Sequence, residues 1–387
     1  MIKLGTTLVS INPLKPVKQC GFIQQVNPVS QVHDDLFLRI VVIEKDDSRL
    51  VYCVYDNIGI SVEQSQEMRQ AIQKLYSTPT EVITSCTHTH FAGDPHDETY
   101  FNQLKSTTLS SLEKISMKVI KNLHYSFQTL AFNGVGSSRI SSHEASVFLD
   151  LMSLYEGSKR CVTFVIHNCH PTIMNGLTPF FSSEYPGYAM SSLHKDHPDE
   201  FFVFMQGADG DISTRFTRNN QSYDEVIRLG SVLKDKVEEL FTNKLELVPF
   251  DFKVTKHVLP LKHRLLEVES LPQNPNPSDR EKETIEIGRK VLENIRPRFN
   301  SLPKTLELTK ISYGDYCQVY APNELFSYYL KATPKSRSSL ICYSQGYAPY
   351  VAGLEHMNLS YELFSDTYTD DTKLNLYTMI YNLTQGS

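Results

Sequence analysis

The sequence predicts an α/β protein, a layered domain in which mixed β-sheets are flanked by helices. Runs rich in β-branched and aromatic residues alternate with segments of helical periodicity, which is typical of α/β folds. Three of the predicted strands run directly into loops that carry histidine or aspartate. Because open α/β sheets gather ligand-binding loops at the carboxyl ends of their strands, we expect these three loops to meet.

Each predicted strand is a short apolar run bounded by turn residues. The strands cover residues 36–44, 50–55, 81–86, 160–168, 200–205, 316–320 and 340–343. The predicted helices run from Ser61 to just before Pro79, over residues 99–122, from about Tyr223, and over residues 278–295. The last two begin at Ser222 and Ser278 with the Ser-x-x-Glu spacing of a capping box. A polar connection near residues 270–278 leads into the last helix.

Charge and composition exclude several classes of partner. The 387 residues include 38 basic and 44 acidic ones, a formal charge of −6 without a basic tract, so we expect no nucleic acid partner. No stretch reaches the roughly 20 apolar residues that span a bilayer, so we expect no integral membrane segment. Seven scattered cysteines without a CxxC pair, and no sign of a secretory signal, predict free thiols and a cytoplasmic location. Nothing in the sequence indicates an oligomeric state.

The run Thr87-His88-Thr89-His90 follows the predicted strand over residues 81–86. Residues at i and i+2 of a strand point to the same face, so His88 and His90 would present two imidazoles to one point. Neutral imidazole is a common zinc ligand. The pair by itself is equally compatible with a structural role.

Two other strands end in residues that could carry chemistry. His170 stands after the strand over residues 160–168 and before a proline. The loop over residues 207–213 (GADGDIS) follows a third strand, and its glycines allow close approach to a substrate. Asp209 and Asp211 leave a second metal open as an alternative. Ser213 is compatible with a nucleophile, a proton relay or the cap of a turn.

Taken in order, these pieces resemble the neutral ceramidase family. The resemblance is carried by Ile11-Asn12-Pro13, the run from His33 to Arg39, the run from Thr84 to His90, Cys169-His170-Pro171-Thr172, Glu184-Tyr185-Pro186-Gly187, Gly210-Asp211-Ile212-Ser213, Pro322-Asn323-Glu324, Tyr350 and Tyr361-Glu362. It covers nearly the whole chain. It therefore implies a single catalytic domain over residues 1–387, without the C-terminal immunoglobulin-like domain of the family.

The resemblance implies a role for eight side chains. Zinc would be bound by His88, His170, Glu324 and Tyr350. His90 would sit beside the metal and contact the reacting group, and Tyr361 would donate a hydrogen bond to the oxyanion. Ser213 would stand at the scissile amide, and Arg139, in Gly136-Ser137-Ser138-Arg139, would be the substrate-side arginine.

The expected activity is zinc-dependent hydrolysis of an N-acyl, ceramide-like amide, with a small molecule as the substrate. Two alternatives stay open at this point. One is another metal-dependent hydrolase on the same scaffold, an esterase or a phosphoesterase. The other is a metal-binding protein without catalysis, which would keep the histidines but lose proton-handling groups such as Ser213 and Tyr361.

Overall fold

Two five-stranded sheets pack face to face at the centre of the protein, and helices cover both outer faces. The protein is represented by a computed structural model that describes residues 1–22, 25, 28–139, 146–266, 268, 275–355 and 360–385, without the side chains of residues 280 and 281. Within these residues, a four-stranded sheet and three two-stranded sheets complete the β structure. No helix among them has the length and apolar character needed to cross a bilayer.

The strands are short, and most are followed by a loop of few residues. In chain order they are β1 (Ile2–Ser10), β2 (Gln31–Val32), β3 (Phe37–Lys45), β4 (Ser48–Tyr55), β5 (Thr80–Cys86), β6 (Lys118–Ile120), β7 (Leu123–Ala131), β8 (Ser137–Ser138), β9 (Phe148–Glu156), β10 (Lys159–His167), β11 (Phe180–Phe181), β12 (Phe201–Gln206), β13 (Ile212–Ser213), β14 (Val248–Pro249), β15 (Lys253–Pro260), β16 (Thr305–Tyr313), β17 (Tyr316–Tyr320), β18 (Asn323–Leu325), β19 (Ser338–Ile341) and β20 (Ala348–Val351).

The α-helices are α1 (Val62–Gln73), α2 (Glu98–Lys114), α3 (Glu184–Asp196), α4 (Tyr223–Leu240), α5 (Asp279–Ile295), α6 (Tyr361–Ser365) and α7 (Asp370–Thr384). Short 3₁₀ helices cover Thr214–Phe216, Arg296–Ser301 and Ser327–Ala332. Ser61 caps α1 with a complete capping box, because its side chain and that of Gln64 each accept a hydrogen bond from the other residue's backbone.

In each of the two central sheets, a pair of parallel strands lies at the edge nearest the functional residues. The first sheet has the order β5-β4-β3-β1-β6, and β4 and β5 are parallel. The second has the order β12-β10-β9-β7-β14, and β10 and β12 are parallel. The third has the order β15-β16-β17-β19. Parallel neighbours end at the same side of a sheet, so the loops after β5, β10 and β12 emerge at sheet edges where a site can form.

The facing surfaces of the first two sheets share one apolar core. Alternate residues of β3 and β4, such as Val41 and Tyr52, pack against residues of β10 and β12, such as Phe164 and Val203. On the outer face of the first sheet, α1 and α2 bury their apolar sides, and on the outer face of the second sheet α3 and α4 do the same. The layers therefore run helix, sheet, sheet, helix, and the predicted layered α/β class is confirmed.

Most of the predicted elements are present, with ends shifted by one or two residues. The helix predicted over residues 99–122 is wrong at its carboxyl end, because α2 stops at Lys114 and Lys118–Ile120 pairs with β1 as β6. Sheet pairing at the edge overrides the helical pattern there. The capping box predicted at Ser222 is also wrong, since its side chain makes no capping hydrogen bond. Glu225 binds Arg228 instead.

Two predictions concern residues that are only partly described. The polar connection near residues 270–278 lies in part outside the described residues. The capping box at Ser278 depends on the side chain of Glu281, which also lies outside them. The helix itself is present as Asp279–Ile295.

Candidate metal centre

A short segment after β19 joins the two central sheets next to the site. The backbone N–H of Cys342 donates to the carbonyl of Gln206 at the end of β12, 2.8 Å away. One residue on, the carbonyl of Tyr343 accepts from the N–H of Cys86 at the end of β5, 3.1 Å away. Tyr343 has a left-handed backbone, with φ of 51°. The segment thus fixes the carboxyl ends of two strands from different sheets close together.

His88 and His90 come together through a turn, whereas the sequence predicted an extended strand end. β5 ends at Cys86, and His88 has a left-handed φ of 66°, a conformation that non-glycine residues seldom adopt. Its N–H donates to the carbonyl of Asn57, 2.9 Å away. Strained backbone of this kind persists where the surroundings fix it, and it is concentrated at functional sites.

Three imidazoles point their Nε2 atoms at one another in the buried interior. The Nε2 of His88 lies 3.0 Å from that of His170 and 3.3 Å from that of His90. His88 and His170 are completely buried, and His90 is 6% exposed. Among the described residues, these three form the group whose ligand atoms, all within 4.8 Å of one another, could hold a metal ion. The predicted meeting of the loops after β5 and β10 is therefore confirmed.

The outer ring nitrogens show why a cation fits at this point. The Nδ1 of His88 faces the carbonyl of Ile58 at 2.7 Å, and that of His170 faces the backbone carbonyl of Asp209 at 3.0 Å and its carboxylate at 2.9 Å. Both Nδ1 atoms must donate to these oxygens, so both Nε2 atoms carry lone pairs. Two lone pairs that face each other repel unless a cation or a proton lies between them. An outer oxygen partner of this kind is usual for histidines that bind metals.

Glu324 adds a carboxylate to the same point. Its Oε2 lies 3.3 Å from the Nε2 of His170 and 3.7 Å from that of His88, and the residue is 2% exposed. The other oxygen, Oε1, accepts a hydrogen bond from the hydroxyl of Tyr347, 2.5 Å away. Imidazole and carboxylate ligands together are typical of zinc sites in enzymes.

His90 differs from the other two histidines. In the described part of the chain its Nδ1 has no hydrogen-bond partner, although the atom is buried. The ring is held by packing, with Phe22 edge-on to it at a centroid distance of 4.7 Å. A Cβ atom added to Gly21 would lie 2.5 Å from the His90 Nδ1, so the glycine allows the backbone to approach the ring.

The surroundings shift the pKa values of these groups strongly. Burial lowers the pKa of His88 to about 4 and that of His90 well below its usual value. Burial would also lower the pKa of His170, but the adjacent Asp209 carboxylate raises it to about 9. Burial opposes ionisation of Glu324, yet His88 and His170 together hold its pKa well below the usual range. Protons compete with a metal ion for these ring nitrogens, so metal binding at this point would release protons.

Tyr343 and Asp209 contact the two metal-facing histidines from their outer side. The sequence assigned no role to Tyr343, and it assigned Asp209 only to the alternative of a second metal. The Tyr343 ring stacks on that of His88 at 3.8 Å between centroids, and its hydroxyl donates to Asp209 Oδ1 at 2.6 Å. The amide of Gln206 donates to the other Asp209 oxygen at 2.7 Å. Among 21 tyrosines, no pattern in the sequence distinguishes Tyr343 or Tyr347.

The two carboxylates that a second metal would need both accept hydrogen bonds from protein groups. Both oxygens of Asp209 accept hydrogen bonds from neighbouring side chains. Those of Asp211 accept from the backbone N–H of Ser327 at 2.6 Å and from its hydroxyl at 2.8 Å. Both acidic residues therefore act as structural acceptors in the structure described.

Tyr350 lies next to Glu324, on the adjacent strand β20, where the two residues are paired in register. Its ring is nearly parallel to that of His170, with centroids 6.3 Å apart. Its hydroxyl accepts a hydrogen bond from the Arg139 guanidinium at 3.1 Å. The Tyr361 ring stands edge-on to Tyr350 at 6.0 Å, at the start of α6.

The Arg139 guanidinium already has several protein partners. Besides Tyr350, it donates to the carbonyl of Gly210 at 2.8 Å. Its Nε lies 3.0 Å from a carboxylate oxygen of Glu362. The sequence assigned no role to this glutamate. The arginine thus connects the loop after β12 with β20 and α6. Its contact with substrate stays a prediction.

Ser213 lies beside His170, and the two residues form a parallel β-bridge. The side-chain oxygen accepts a hydrogen bond from the N–H of Arg215 at 3.3 Å, so the hydroxyl caps the 3₁₀ turn that follows. The cap uses one lone pair. It leaves the hydroxyl proton and the second lone pair for a substrate.

Two residues of the family-like motif over residues 184–187 form hydrogen bonds with the loop around His170. The carboxylate of Glu184, at the start of α3, accepts hydrogen bonds from the N–H groups of Ile173, Met174 and Tyr185. The hydroxyl of Tyr185 donates to the carbonyl of Cys169 at 2.5 Å. These hydrogen bonds therefore hold the backbone in place on both sides of His170.

One recess opens onto the centre, and a second recess adjoins it. The smaller cavity, of about 400 Å³, is bounded by His90, Glu324, Tyr350, Ser365, Thr367 and Arg298. The larger groove, of about 790 Å³, is bounded by Phe22, Ile58, Pro95, His96, Ile287 and Lys290. The two recesses share Gly21, Val291, Asn294, Tyr347 and Tyr361, so they meet in front of His90.

Comparison with known proteins gives a clear structural relationship and no sequence relationship. No family model matches the sequence, and no curated protein matches it. Among solved structures, a neutral ceramidase from Pseudomonas aeruginosa superposes with a TM-score of 0.76 at 15% identity, over 99% of this chain and 74% of that one. A ceramidase complexed with C2 superposes with a TM-score of 0.77 at 16% identity, over the same shares of the two chains. At these identities the likeness establishes the fold, as the motif resemblance implied. The described residues contain no separate immunoglobulin-like domain.

Proposed function

Starting from a chain that has the neutral ceramidase fold, we propose that this protein is a zinc-dependent hydrolase of N-acyl amide bonds. It would cleave a ceramide-like amide to a fatty acid and an amine. The proposal rests mainly on the buried arrangement of three groups: the Nε2 atoms of His88 and His170 and the carboxylate of Glu324 face one another. Their lone pairs point into a space too small for a separate hydrogen-bond donor to each of them. Such a donor set fits zinc.

His88, His170 and Glu324 would hold the zinc, with Tyr350 as the fourth protein ligand. A zinc ion held by these residues would polarise the amide carbonyl and would lower the pKa of a water molecule towards about 7. Asp209 orients the ring of His170, and Tyr347 orients the carboxylate of Glu324. Because these partners are buried hydrogen-bond donors and acceptors, they fix the donor atoms before a substrate binds.

His90 acts on the substrate in this proposal and does not serve as a zinc ligand. Among the described residues, its Nδ1 has no outer oxygen partner of the kind that His88 and His170 both have. Its place at the junction of the two recesses lets the ring contact a reacting carbonyl group. Tyr361, which bounds both recesses, would donate a hydrogen bond from its hydroxyl group to the oxyanion. One such donor typically contributes about 3 kcal/mol of transition-state stabilisation.

Ser213 would either attack the amide carbon or relay a proton to the leaving amine. Its hydroxyl lies on the strand next to His170, and the cap to Arg215 orients its oxygen. Arg139 would hold a polar part of the substrate and also keep Tyr350 in place. The turnover of a Ser213→Ala protein tests the serine. We expect loss of activity with zinc retained, whereas Ser222→Ala, which removes a hydroxyl without a capping role, keeps full activity.

The central experiment combines metal analysis with a substrate screen. Purified protein is expected to contain about one zinc per chain, and to hydrolyse at least one member of a panel of N-acyl compounds, including ceramides, N-acyl amino sugars and N-acyl amino acids. A folded protein that binds no zinc would contradict the metal proposal. Hydrolysis of phosphoesters alone would favour the alternative hydrolase class, and zinc binding without turnover on any substrate would favour a non-catalytic metal protein.

A further inference from the structure

The two recesses in front of His90 match the two arms of an amide. An N-acyl amide carries an acyl chain on its carbonyl carbon and an amine-side group on its nitrogen. With the carbonyl at the centre, these arms must leave in different directions. The smaller cavity and the larger groove share Tyr347 and Tyr361, and their remaining walls consist mostly of different residues, so each can take one arm.

The larger groove suits the acyl chain. Its walls near the centre are apolar and include Phe22, Ile58, Pro95, Ile287 and Val291. Burial of each methylene group of an acyl chain against such walls is worth about 0.8 kcal/mol.

The larger groove offers no unpaired cation among its described residues. The ammonium group of Lys290 lies 3.1 Å from the carboxylate of Glu286 on the same face of α5, and the His96 ring lies 2.9 Å from Asp94. Glu283 also bounds this groove and adds a negative charge. A substrate carboxylate is therefore not favoured in this groove.

The smaller cavity differs because it contains an unpaired cation. Arg298, on the 3₁₀ helix after α5, bounds this cavity together with Glu324, Ser365 and Thr367. No carboxylate of the described residues lies within ion-pairing distance of its guanidinium. Arg139, by contrast, already has Glu362 at 3.0 Å. The unpaired positive charge in this recess therefore belongs to Arg298.

We infer that Arg298 binds a carboxylate on the amine side of the substrate, so that the preferred substrates are N-acyl amino acids and not neutral amides such as ceramide. This inference depends on the proposed amide hydrolysis. A guanidinium binds a carboxylate with two parallel hydrogen bonds, which gives it geometric selectivity for that group. Since Arg298 is exposed, water and salt weaken the contact, and the preference it confers is expected to be about fivefold.

The test compares two substrates with the same acyl chain, N-dodecanoylglycine and N-dodecanoylethanolamine. The parent protein is expected to show a kcat/KM about fivefold higher for the glycine amide, mainly through KM. Arg298→Gln should lower kcat/KM for the glycine amide about fivefold, to the value for the ethanolamine amide, and so abolish this preference. Lys290→Gln removes the same charge from the larger groove and should keep the preference. Rising salt should reduce the preference in the parent protein and not in Arg298→Gln.

Two outcomes would overturn the inference without touching the proposed function. One is equal kcat/KM for the two amides in the parent protein. The other is an Arg298→Gln protein that loses activity on both amides in the same proportion. Absence of both zinc and any amide hydrolysis would instead refute the proposed function itself. The binding of N-dodecanoylglycine to zinc-loaded Ser213→Ala protein, measured by calorimetry, separates recognition from turnover: Arg298→Gln should weaken it about fivefold.

Discussion

The histidines of the candidate metal centre differ in what holds each ring in place. His88 and His170 are oriented by oxygen acceptors on Ile58 and Asp209, whereas His90 is oriented by packing against Gly21 and Phe22. Sequence reasoning found all three histidines, because they stand in recognisable runs at strand ends. It could not find Tyr343 or Tyr347, because their role depends on a turn that connects two sheets and leaves no pattern in the sequence.

Removal of the charge on Asp209 should weaken zinc binding without unfolding the protein. In Asp209→Asn the side chain can still occupy the same space, but it no longer presents a carboxylate to the Nδ1 of His170. Loss of an outer partner of this kind typically lowers metal affinity about 10- to 100-fold. Competition with a chelator measures the change. Asp211→Asn is the matched control, because that carboxylate accepts from Ser327 and does not contact a histidine, and its zinc affinity should equal that of the parent.

Gly21 offers a way to displace His90. In Gly21→Ala the new methyl group would meet the His90 ring and the end of the Ile58 side chain, and the backbone φ of 120° disfavours any side chain. We expect at least a tenfold fall in kcat with zinc still bound.

Gly157→Ala serves as the control for backbone strain. It has a φ of 62° with no atom within 4 Å of the added methyl group, so it should lose about 1–2 kcal/mol of stability and keep its activity. Normal turnover by Gly21→Ala would show that the position of His90 is unimportant.

At the scale of elements, local patterns predicted most of the strands and helices near the site, and failed where pairing across the sheet decides the structure. The segment after α2 continues a helical pattern, yet residues Lys118–Ile120 pair with β1 because the edge of the first sheet is open there. The loops after β5, β10 and β12 were expected to meet and do so. The left-handed turn at His88 was not predicted, since the residue types around it are compatible with a strand.

The start of α3 should make stability depend on pH through Glu184. Burial raises the pKa of this carboxyl group to about 7, well above its value in an unfolded chain. Between about pH 4.5 and 7 the folded state therefore binds a proton that the unfolded state does not, and the free energy of unfolding falls as pH rises. The slope is at most about 1.4 kcal/mol per pH unit for one proton.

Denaturant unfolding of the parent protein and of Glu184→Gln from pH 4.5 to 7.5 measures this effect. The stability difference between the two proteins should shift in favour of Glu184→Gln as pH rises. A difference that stays constant across this range would show that Glu184 titrates normally in the folded protein.

For the molecule as a whole, the layered sheets and the relationship to neutral ceramidases are established at the level of fold. The single catalytic domain over residues 1–387 and the cytoplasmic location stay predictions. The proposed zinc ligands come from the loops after β5 and β10 and from strands β18 and β20, so they join parts of the chain that are far apart in sequence. Composition and periodicity carry no information on such distant contacts, and ordered motifs carry a great deal.

Zinc should therefore stabilise the entire fold. A ligand that binds the folded state alone, at about 100 times its Kd, adds about 2.7 kcal/mol of stability. For a chain of this size this corresponds to a rise in Tm of a few degrees. Thermal unfolding of metal-free protein with and without added zinc tests the effect. His170→Ala should show no rise, and Mg²⁺, which prefers oxygen ligands, should not replace zinc in the parent protein.

The spacing of the proposed ligands along the chain also sets an order of events during synthesis. His88 and His170 leave the ribosome long before Glu324 and Tyr350, so a nascent chain holds two imidazoles without the carboxylate that completes the centre. The segment that joins β5 to β12, from Cys342 to Tyr343, emerges between Glu324 and Tyr350. If these residues bind zinc as proposed, the complete set of ligands exists only after nearly the whole chain has been made.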